Sequence, residues 1–110
     1  QLANRITGMA LRVPTAVFHG ADFTVRVKKR KGKGSLLAAF DKAASNELQG
    51  ILMVNRAPLV SSDFKGNSHS TIVDAEFSHC QGDLIKVMAW QDNEHGYSSR
   101  LVDLANYITT

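Results

Sequence analysis

The sequence LIKVMAWQDNEHGY, residues 84–97, carries the strongest structural signal in the chain. Its first half, residues 84–90, is almost entirely apolar and predicts a buried strand. Polar residues and Gly96 follow directly, and an apolar stripe beyond them predicts a C-terminal helix. The stripe consists of Tyr97, Leu101, Leu104, Ala105 and Ile108. A polar cluster between a buried strand and a helix is typical of a ligand-binding rim, but an N-cap formed by Asp92 or Asn93 explains the same residues equally well.

The rest of the chain alternates between strand and helix patterns. Alternating apolar residues at Phe23, Val25 and Val27 predict a half-buried strand. Ser35 is predicted as the N-cap of an amphipathic helix that ends at Gly50. Further strands are predicted at Ile51 to Val54, Leu59 to Val60 and Ile72 to Val73. This order predicts an α+β fold in which a largely antiparallel sheet has one covering helix and a C-terminal helix.

One arginine lies inside an apolar segment near the N-terminus. Residues 9–13 are apolar except for Arg12, and Pro14 ends the run, so the pattern predicts a buried strand that carries one charge. An unpaired buried charge is costly, so Arg12 is expected to have a partner. Its planar guanidinium suits a phosphate or a carboxylate, so a phosphate ligand and a structural ion pair both remain open.

Length and composition limit the class of protein. A chain of 110 residues, of which 44% are hydrophobic, forms at most one domain. The single cysteine excludes an internal disulfide and predicts a reducing, cytoplasmic location. No apolar run is long enough to span a bilayer, so we expect no membrane partner. The first residue is Gln1 rather than methionine, and we therefore expect the chain to be a piece of a longer protein.

Six positive charges lie in the eight residues from Arg26 to Lys33. The formal net charge of the whole chain is +3, so removal of these six charges leaves −3 and the basic character is local. One interpretation is a polyanion-binding module that contacts nucleic acid through its phosphates. No aromatic residue interleaves the basic ones to stack on bases, so a solvated strand end and loop is favoured and no nucleic-acid partner is expected.

Catalytic and metal-binding motifs are weak in this sequence. His79 and Cys80 place a base beside a nucleophile, but neighbouring side chains on a strand point to opposite faces. The histidines and carboxylates do not have a metal-ligand spacing. The sequence GKGS, residues 32–35, lies between a strand and a helix but lacks the full phosphate-loop spacing. We therefore predict no catalytic residue and no metal ligand in this chain.

Two long motifs resemble one enzyme family. The sequence ITGMALRVPT, residues 6–15, is similar to the LTGMAFRVPT segment of phosphorylating glyceraldehyde-3-phosphate dehydrogenases. The sequence VMAWQDNEHGYSSRLVDL, residues 87–104, resembles the segment of that family that contains WYDNE and GYS. Residues 42–52, 58–64 and 69–74 match the family in order and spacing. The resemblance therefore covers nearly the whole chain.

The resemblance implies a fold and a set of ligand contacts. Residues 1–110 would be the C-terminal part of the catalytic domain, with the nucleotide-binding domain absent and the last helix packed toward it. By the same resemblance, Arg12 would bind the phosphate of the substrate or inorganic phosphate. Asn93 would contact the carboxamide of the nicotinamide, and Tyr97 would lie near that ring. The implied cofactor is NAD or NADP, bound mainly by the missing domain.

The resemblance also implies an activity. The full-length protein would be an NAD(P)-dependent phosphorylating aldehyde dehydrogenase of glycolysis, active as a homotetramer on glyceraldehyde 3-phosphate. Its catalytic cysteine and the histidine that activates it would precede Gln1, so the chain alone is expected to be inactive. Gln91 and His95 depart from the tyrosine and the bulky apolar residue that the family usually has. A dehydrogenase of erythrose 4-phosphate shares much of the pattern and is the alternative.

Overall fold

A computed structural model describes residues 2–16 and 18–110. The described residues form four strands, two α-helices and a short 3₁₀ helix at Ser61–Phe64. The strands are β1 at Phe18–Arg26, β2 at Leu52–Asn55, β3 at Thr71–Gln81 and β4 at Leu84–Asp92. The helices are α1 at Lys33–Ser45 and α2 at His95–Thr109.

The four strands form one sheet in the order β1-β4-β3-β2. β4 pairs antiparallel with β1 and with β3, and only β2 runs parallel to β3. α1 connects β1 to β2 and packs against β2 and β3. This arrangement confirms the predicted α+β fold with a largely antiparallel sheet, a covering helix and a C-terminal helix.

The core lies where β3 and β4 meet. Its buried apolar residues are Leu52, Phe64, Ile72, Val73, Ala75, Ile85 and Ala89. The strong apolar signal of residues 84–90 therefore belongs to a strand with a neighbour on each edge. A tight turn joins β3 to β4, and Gly82 at its first position has a φ of 65°, a left-handed conformation that favours glycine.

β3 contains an irregularity that the sequence did not reveal. The register of β3 on β4 shifts between Asp74 and His79, and the buried polar residues Asp74 and Ser78 lie in this irregular stretch. The Asp74 Oδ1 atom accepts hydrogen bonds from the backbone N–H groups of Glu76 and Phe77, at 3.0 and 3.3 Å. The Ser78 hydroxyl donates to the Asp74 carbonyl oxygen at 2.6 Å and accepts from the Met88 N–H at 3.2 Å. The side chains of Asp74 and Ser78 thus replace the ladder bonds that the bulge removes.

The predicted strand at residues 9–13 is wrong. Residues 2–16 form an exposed segment without strand pairing, and its backbone bonds are short-range, such as Thr15 N–H to the Val13 carbonyl at 2.8 Å. An apolar run becomes a strand only when a neighbouring strand supplies backbone partners, and no described strand lies against this run. Arg12 is accordingly exposed rather than buried.

Three smaller predictions also differ from the structure. Residues 59–60 form no strand, because the Val60 N–H is held by the Asp63 carboxylate at 2.8 Å at the start of the 3₁₀ helix. Gly32 rather than Ser35 is the N-cap of α1, and the Ser35 hydroxyl donates back to the Gly32 carbonyl at 3.0 Å. β1 forms as predicted, but Phe23 is 52% exposed, because α1 packs against β2 and β3 rather than against β1.

Truncation of Ile72 tests the position of the core. Ile72 is 0% exposed, so Ile72→Ala should lower the free energy of unfolding by about 2–5 kcal/mol through lost burial and a residual cavity. Ile108 in α2 is 72% exposed, and Ile108→Ala is the matched control with an expected change below about 0.5 kcal/mol. Urea denaturation followed by circular dichroism measures both values. Equal losses for the two variants would contradict this description of the core.

Candidate functional site

A cleft of about 300 Å³ opens where β4 ends and α2 begins. It is lined by Ser70, Gln91, Asp92, Asn93, Gly96, Tyr97 and Arg100. Of the two alternatives left open by the sequence, the concave site is present, whereas the N-cap of α2 is Glu94 rather than Asp92 or Asn93. Asp92 supplies the helix-start contacts, and the residues around it form the wall of a concave site.

Asn93 and Tyr97 lie in this cleft together, as the sequence suggested. Tyr97 stands in the first turn of α2, and Asn93 lies in the turn that precedes this helix. Asn93 is exposed, and Tyr97 is 66% exposed. Both polar groups are therefore available to a ligand.

Asp92 is the buried anchor of the cleft. It is 4% exposed, and both carboxylate oxygens accept hydrogen bonds. Oδ1 accepts from the backbone N–H groups of His95 at 3.0 Å and Glu94 at 3.2 Å, and Oδ2 accepts from the Gly66 N–H at 2.9 Å. The bonds from His95 and Gly66, in that order, hold the pKa of the Asp92 carboxyl below its ordinary value.

The segment 66–70 contributes Ser70 to the lining of the cleft. Within this segment, the Asn67 Oδ1 atom accepts from the His69 N–H at 2.9 Å and lies 2.8 Å from the His69 Nδ1 atom. At its far end, the Arg100 Nη1 atom donates to the Ser68 carbonyl oxygen at 3.2 Å and to the Ser70 hydroxyl at 3.0 Å. The Arg100 Nε atom donates to Asp103 at 2.7 Å, which fixes the guanidinium on α2.

Gly96 allows α2 to approach this segment. A Cβ atom at position 96 would lie 3.0 Å from the His69 carbonyl oxygen and 3.5 Å from the Ser70 Cα atom. Glycine in the first turn of a helix lowers helix propensity, so the sequence offered a signal for this contact. Ser70 and Arg100 were not predicted as cleft residues, because only the fold brings residue 70 beside α2.

Arg12 is not among the residues that line the cleft. It lies in the exposed segment 2–16, and none of the ion pairs within the described ranges includes it. The expectation of an intrachain acidic partner therefore has no support in the described residues. The structure leaves the guanidinium accessible to an external anion.

A second, more apolar cavity of about 240 Å³ lies on one face of the sheet. It is lined by Phe77, His79, Lys86, Met88 and Trp90. The Trp90 Nε1 atom donates to Asp74 Oδ2 at 2.9 Å, which fixes the indole ring. His79 pairs with Lys86 and Cys80 with Ile85, so the two neighbours alternate between faces as predicted for a strand.

The basic run occupies the end of β1 and the loop to α1. Arg26 pairs with Asp83 at 3.2 Å, and the Lys33 ammonium donates to the Glu76 carbonyl oxygen at 3.3 Å. The four basic residues between them, Lys28 to Lys31, are exposed, and no acidic partner for them is found among residues 2–16 and 18–110. The run is therefore a solvated loop with four accessible charges.

In the described part of the chain, no group of three or more histidine, cysteine, aspartate or glutamate side chains could hold a metal ion. No helix there is long and apolar enough to cross a membrane.

Comparison with known proteins places the chain in a family. Residues 1–93 match the family model described as glyceraldehyde 3-phosphate dehydrogenase, C-terminal domain. The chain is 47% identical over 105 residues to the chloroplastic glyceraldehyde-3-phosphate dehydrogenase A of Chlamydomonas reinhardtii, covering 94% of this chain and 28% of that protein. It is 45% identical over 109 residues to glyceraldehyde-3-phosphate dehydrogenase 2 of Trichormus variabilis, covering 98% and 32%. Glyceraldehyde-3-phosphate dehydrogenase B of Aspergillus oryzae is 40% identical over 111 residues, covering 100% and 33%.

The chain belongs to the family of glyceraldehyde-3-phosphate dehydrogenase C-terminal domains. It spans about a third or less of the length of these relatives. The resemblance drawn from residues 6–15 and 87–104 is thereby confirmed.

Substitution of Gly96 tests the contact between α2 and the segment 66–70. Gly96→Ala should lower the free energy of unfolding by about 1–3 kcal/mol, because the added methyl group meets a backbone carbonyl that cannot move independently. Gly34→Ala in the first turn of α1 is the matched control, since a Cβ atom there meets nothing within 4 Å. The control should be neutral or stabilising by up to about 1 kcal/mol. Urea denaturation distinguishes the two, and a stable Gly96→Ala variant would disprove the close contact.

Proposed function

We propose that this chain is the C-terminal part of the catalytic domain of an NAD(P)-dependent phosphorylating dehydrogenase that oxidises glyceraldehyde 3-phosphate. Family membership supports this proposal, together with the cleft in which Asn93 lies beside Tyr97. In this proposal, the other parts of the full-length protein supply the nucleotide-binding domain, the catalytic cysteine and the histidine that activates it. The purified chain alone should accordingly show no turnover when NAD(P) reduction is followed by absorbance.

The cleft residues fit the nicotinamide end of the cofactor. The Asn93 amide can donate to and accept from a carboxamide, and the Tyr97 ring offers an apolar wall with a polar tip. When bound, NAD or NADP supplies the hydride acceptor. The part of this chain is to orient the carboxamide through Asn93 and to shield one side of the ring through Tyr97.

Arg12 is proposed as the ligand of a phosphate group, either that of the substrate or inorganic phosphate. A guanidinium binds phosphate through two parallel hydrogen bonds, and Arg12 is exposed without an ion pair in the described ranges. Erythrose 4-phosphate is the alternative substrate, because its phosphate would be held in the same way. We also propose that the full-length protein is a homotetramer, in which exposed apolar residues such as Phe77 would be buried.

A variant of Arg12 tests the phosphate role in the full-length enzyme. Arg12→Ala should raise KM for the phosphorylated aldehyde about tenfold or more, because a charge-assisted hydrogen bond is worth roughly 1.5–3 kcal/mol. The KM for the cofactor should change little. Arg5→Ala removes another exposed arginine of the same segment and is the matched control. A raised cofactor KM with an unchanged aldehyde KM would remove Arg12 from the phosphate role.

Polyanion binding by the basic run is a second candidate function. The observation that favours it is the exposure of four adjacent cations, Lys28 to Lys31, without acidic partners in the described ranges. Phosphate contacts by such a loop would displace counterions and weaken steeply as salt rises.

A pair of charge variants tests this candidate. Lys28→Gln with Lys31→Gln should weaken retardation of duplex DNA and reduce the slope of log K against log salt by about 2. Lys42→Gln with Lys65→Gln removes two exposed lysines elsewhere and is the control that should leave the slope unchanged. Absence of retardation by the unmodified chain at low salt would exclude the function.

A further inference from the structure

The Asp92 carboxylate joins the turn at Asn93 to the segment 66–70, in addition to the contacts that Gly96 and Arg100 make with that segment. Its Oδ1 atom is bonded to the N–H groups of Glu94 and His95, so the chain turns around Asn93 within these bonds. Its Oδ2 atom is bonded to the N–H of Gly66, which is 26 residues earlier in the sequence. One buried side chain therefore holds both the turn at Asn93 and the start of the segment 66–70, whose last residue, Ser70, lines the cleft.

The Asn93 side chain has no such support of its own. No hydrogen bond within the described ranges involves the Asn93 amide, and the residue is exposed. The position of this amide is thus set by its backbone, which the Oδ1 bonds of Asp92 enclose. Arg100 holds the far end of the segment 66–70, but it does not contact the turn at Asn93 directly.

The chemistry of both contacts requires a carboxylate. Three backbone N–H donors converge on the two oxygens of the Asp92 side chain, and a carboxylate accepts at both oxygens whereas an amide accepts only at its one oxygen. An asparagine at this position would accept on one side and present an N–H group to an N–H donor on the other. It would therefore release either Gly66 or the turn at Asn93.

We propose that Asp92 is the positioning residue for the Asn93 amide, and that it tunes cofactor affinity by holding the turn and the segment 66–70 in one arrangement. This inference rests on the proposed contact between Asn93 and the nicotinamide. Asp92 itself is not a catalytic residue, because its oxygens are occupied by backbone donors inside the protein.

A double-mutant cycle in the full-length enzyme tests the proposal. Asp92→Asn, Asn93→Ala and the double variant are compared by calorimetric titration with NAD and with NADP. Each single variant should raise the Kd of the bound cofactor about threefold to tenfold, the effect of one lost hydrogen bond. The double variant should be no weaker than Asn93→Ala, because a displaced amide and a missing amide lose the same contact. The KM for the phosphorylated aldehyde should stay unchanged.

The control is Asp63→Asn, which makes the same chemical change at another carboxylate that accepts a backbone N–H, from Val60 at 2.8 Å, outside the cleft. It should leave the Kd unchanged. If Asp92→Asn does not fold, Asp92→Ser replaces it in the cycle, because serine can accept at the helix start while its side chain is too short to reach Gly66. The same rise in Kd, not additive with that of Asn93→Ala, is expected, and an unchanged Kd would overturn the positioning role.

The outcomes separate the two proposals. Additive losses in the double variant, or an unchanged Kd for Asp92→Asn, would overturn the positioning role while leaving the nicotinamide contact intact. An unchanged Kd for Asn93→Ala would overturn the nicotinamide contact itself, and the positioning role with it.

Discussion

Backbone pairing on both edges of β4 is the constraint on which the other features depend. β4 is hydrogen-bonded to β1 along nine residue pairs and to β3 on its other edge, so its position is fixed by two neighbours. Within the apolar run of residues 84–90, the side chains of Ile85 and Ala89 lie in the core. The double pairing also fixes the point at which β4 ends, and therefore the place where Asp92 begins the turn into α2. The cleft residues that follow β4 are therefore attached to a strand end that is held on both edges.

Much of the fold was predictable because its elements have local signals. The pattern of period two in β1, the helical spacing in α1 and α2, and the apolar run of β4 all predicted the correct type of element. The run at residues 9–13 has an equally apolar pattern but forms no strand, because a strand needs a partner and no local signal reports one. The bulge at Asp74 escaped prediction for a related reason. Its polar groups are satisfied by Trp90 and Met88 from the neighbouring strand.

In the candidate site, too, the residues with local sequence signals were predictable and those that tertiary structure brings together were not. Asn93 and Tyr97 were accessible to sequence analysis because they are close in sequence and their motif is long. Ser70 and Arg100 were not, because a hydrogen bond across 30 residues brings them together. Asp92 or Asn93 was predicted as the N-cap of α2, but Glu94 occupies that position, and Asp92 instead accepts from the Glu94 and His95 N–H groups two and three residues later. Its third bond, to Gly66, depends on tertiary structure and could not be inferred from the motif.

Gly20 shows that solvent exposure and tolerance to substitution are separate properties on this sheet. The residue is exposed on the edge strand β1, yet a Cβ atom there would lie 2.9 Å from the Met88 Cε atom and 3.1 Å from the Trp90 Cζ3 atom. The methionine end can move aside, but the indole is held by its hydrogen bond to Asp74. A buried carboxylate two strands away therefore restricts which residues can replace Gly20. In a library of β1 variants, folded proteins with a substitution at residue 20 would be rare, although the strand faces water.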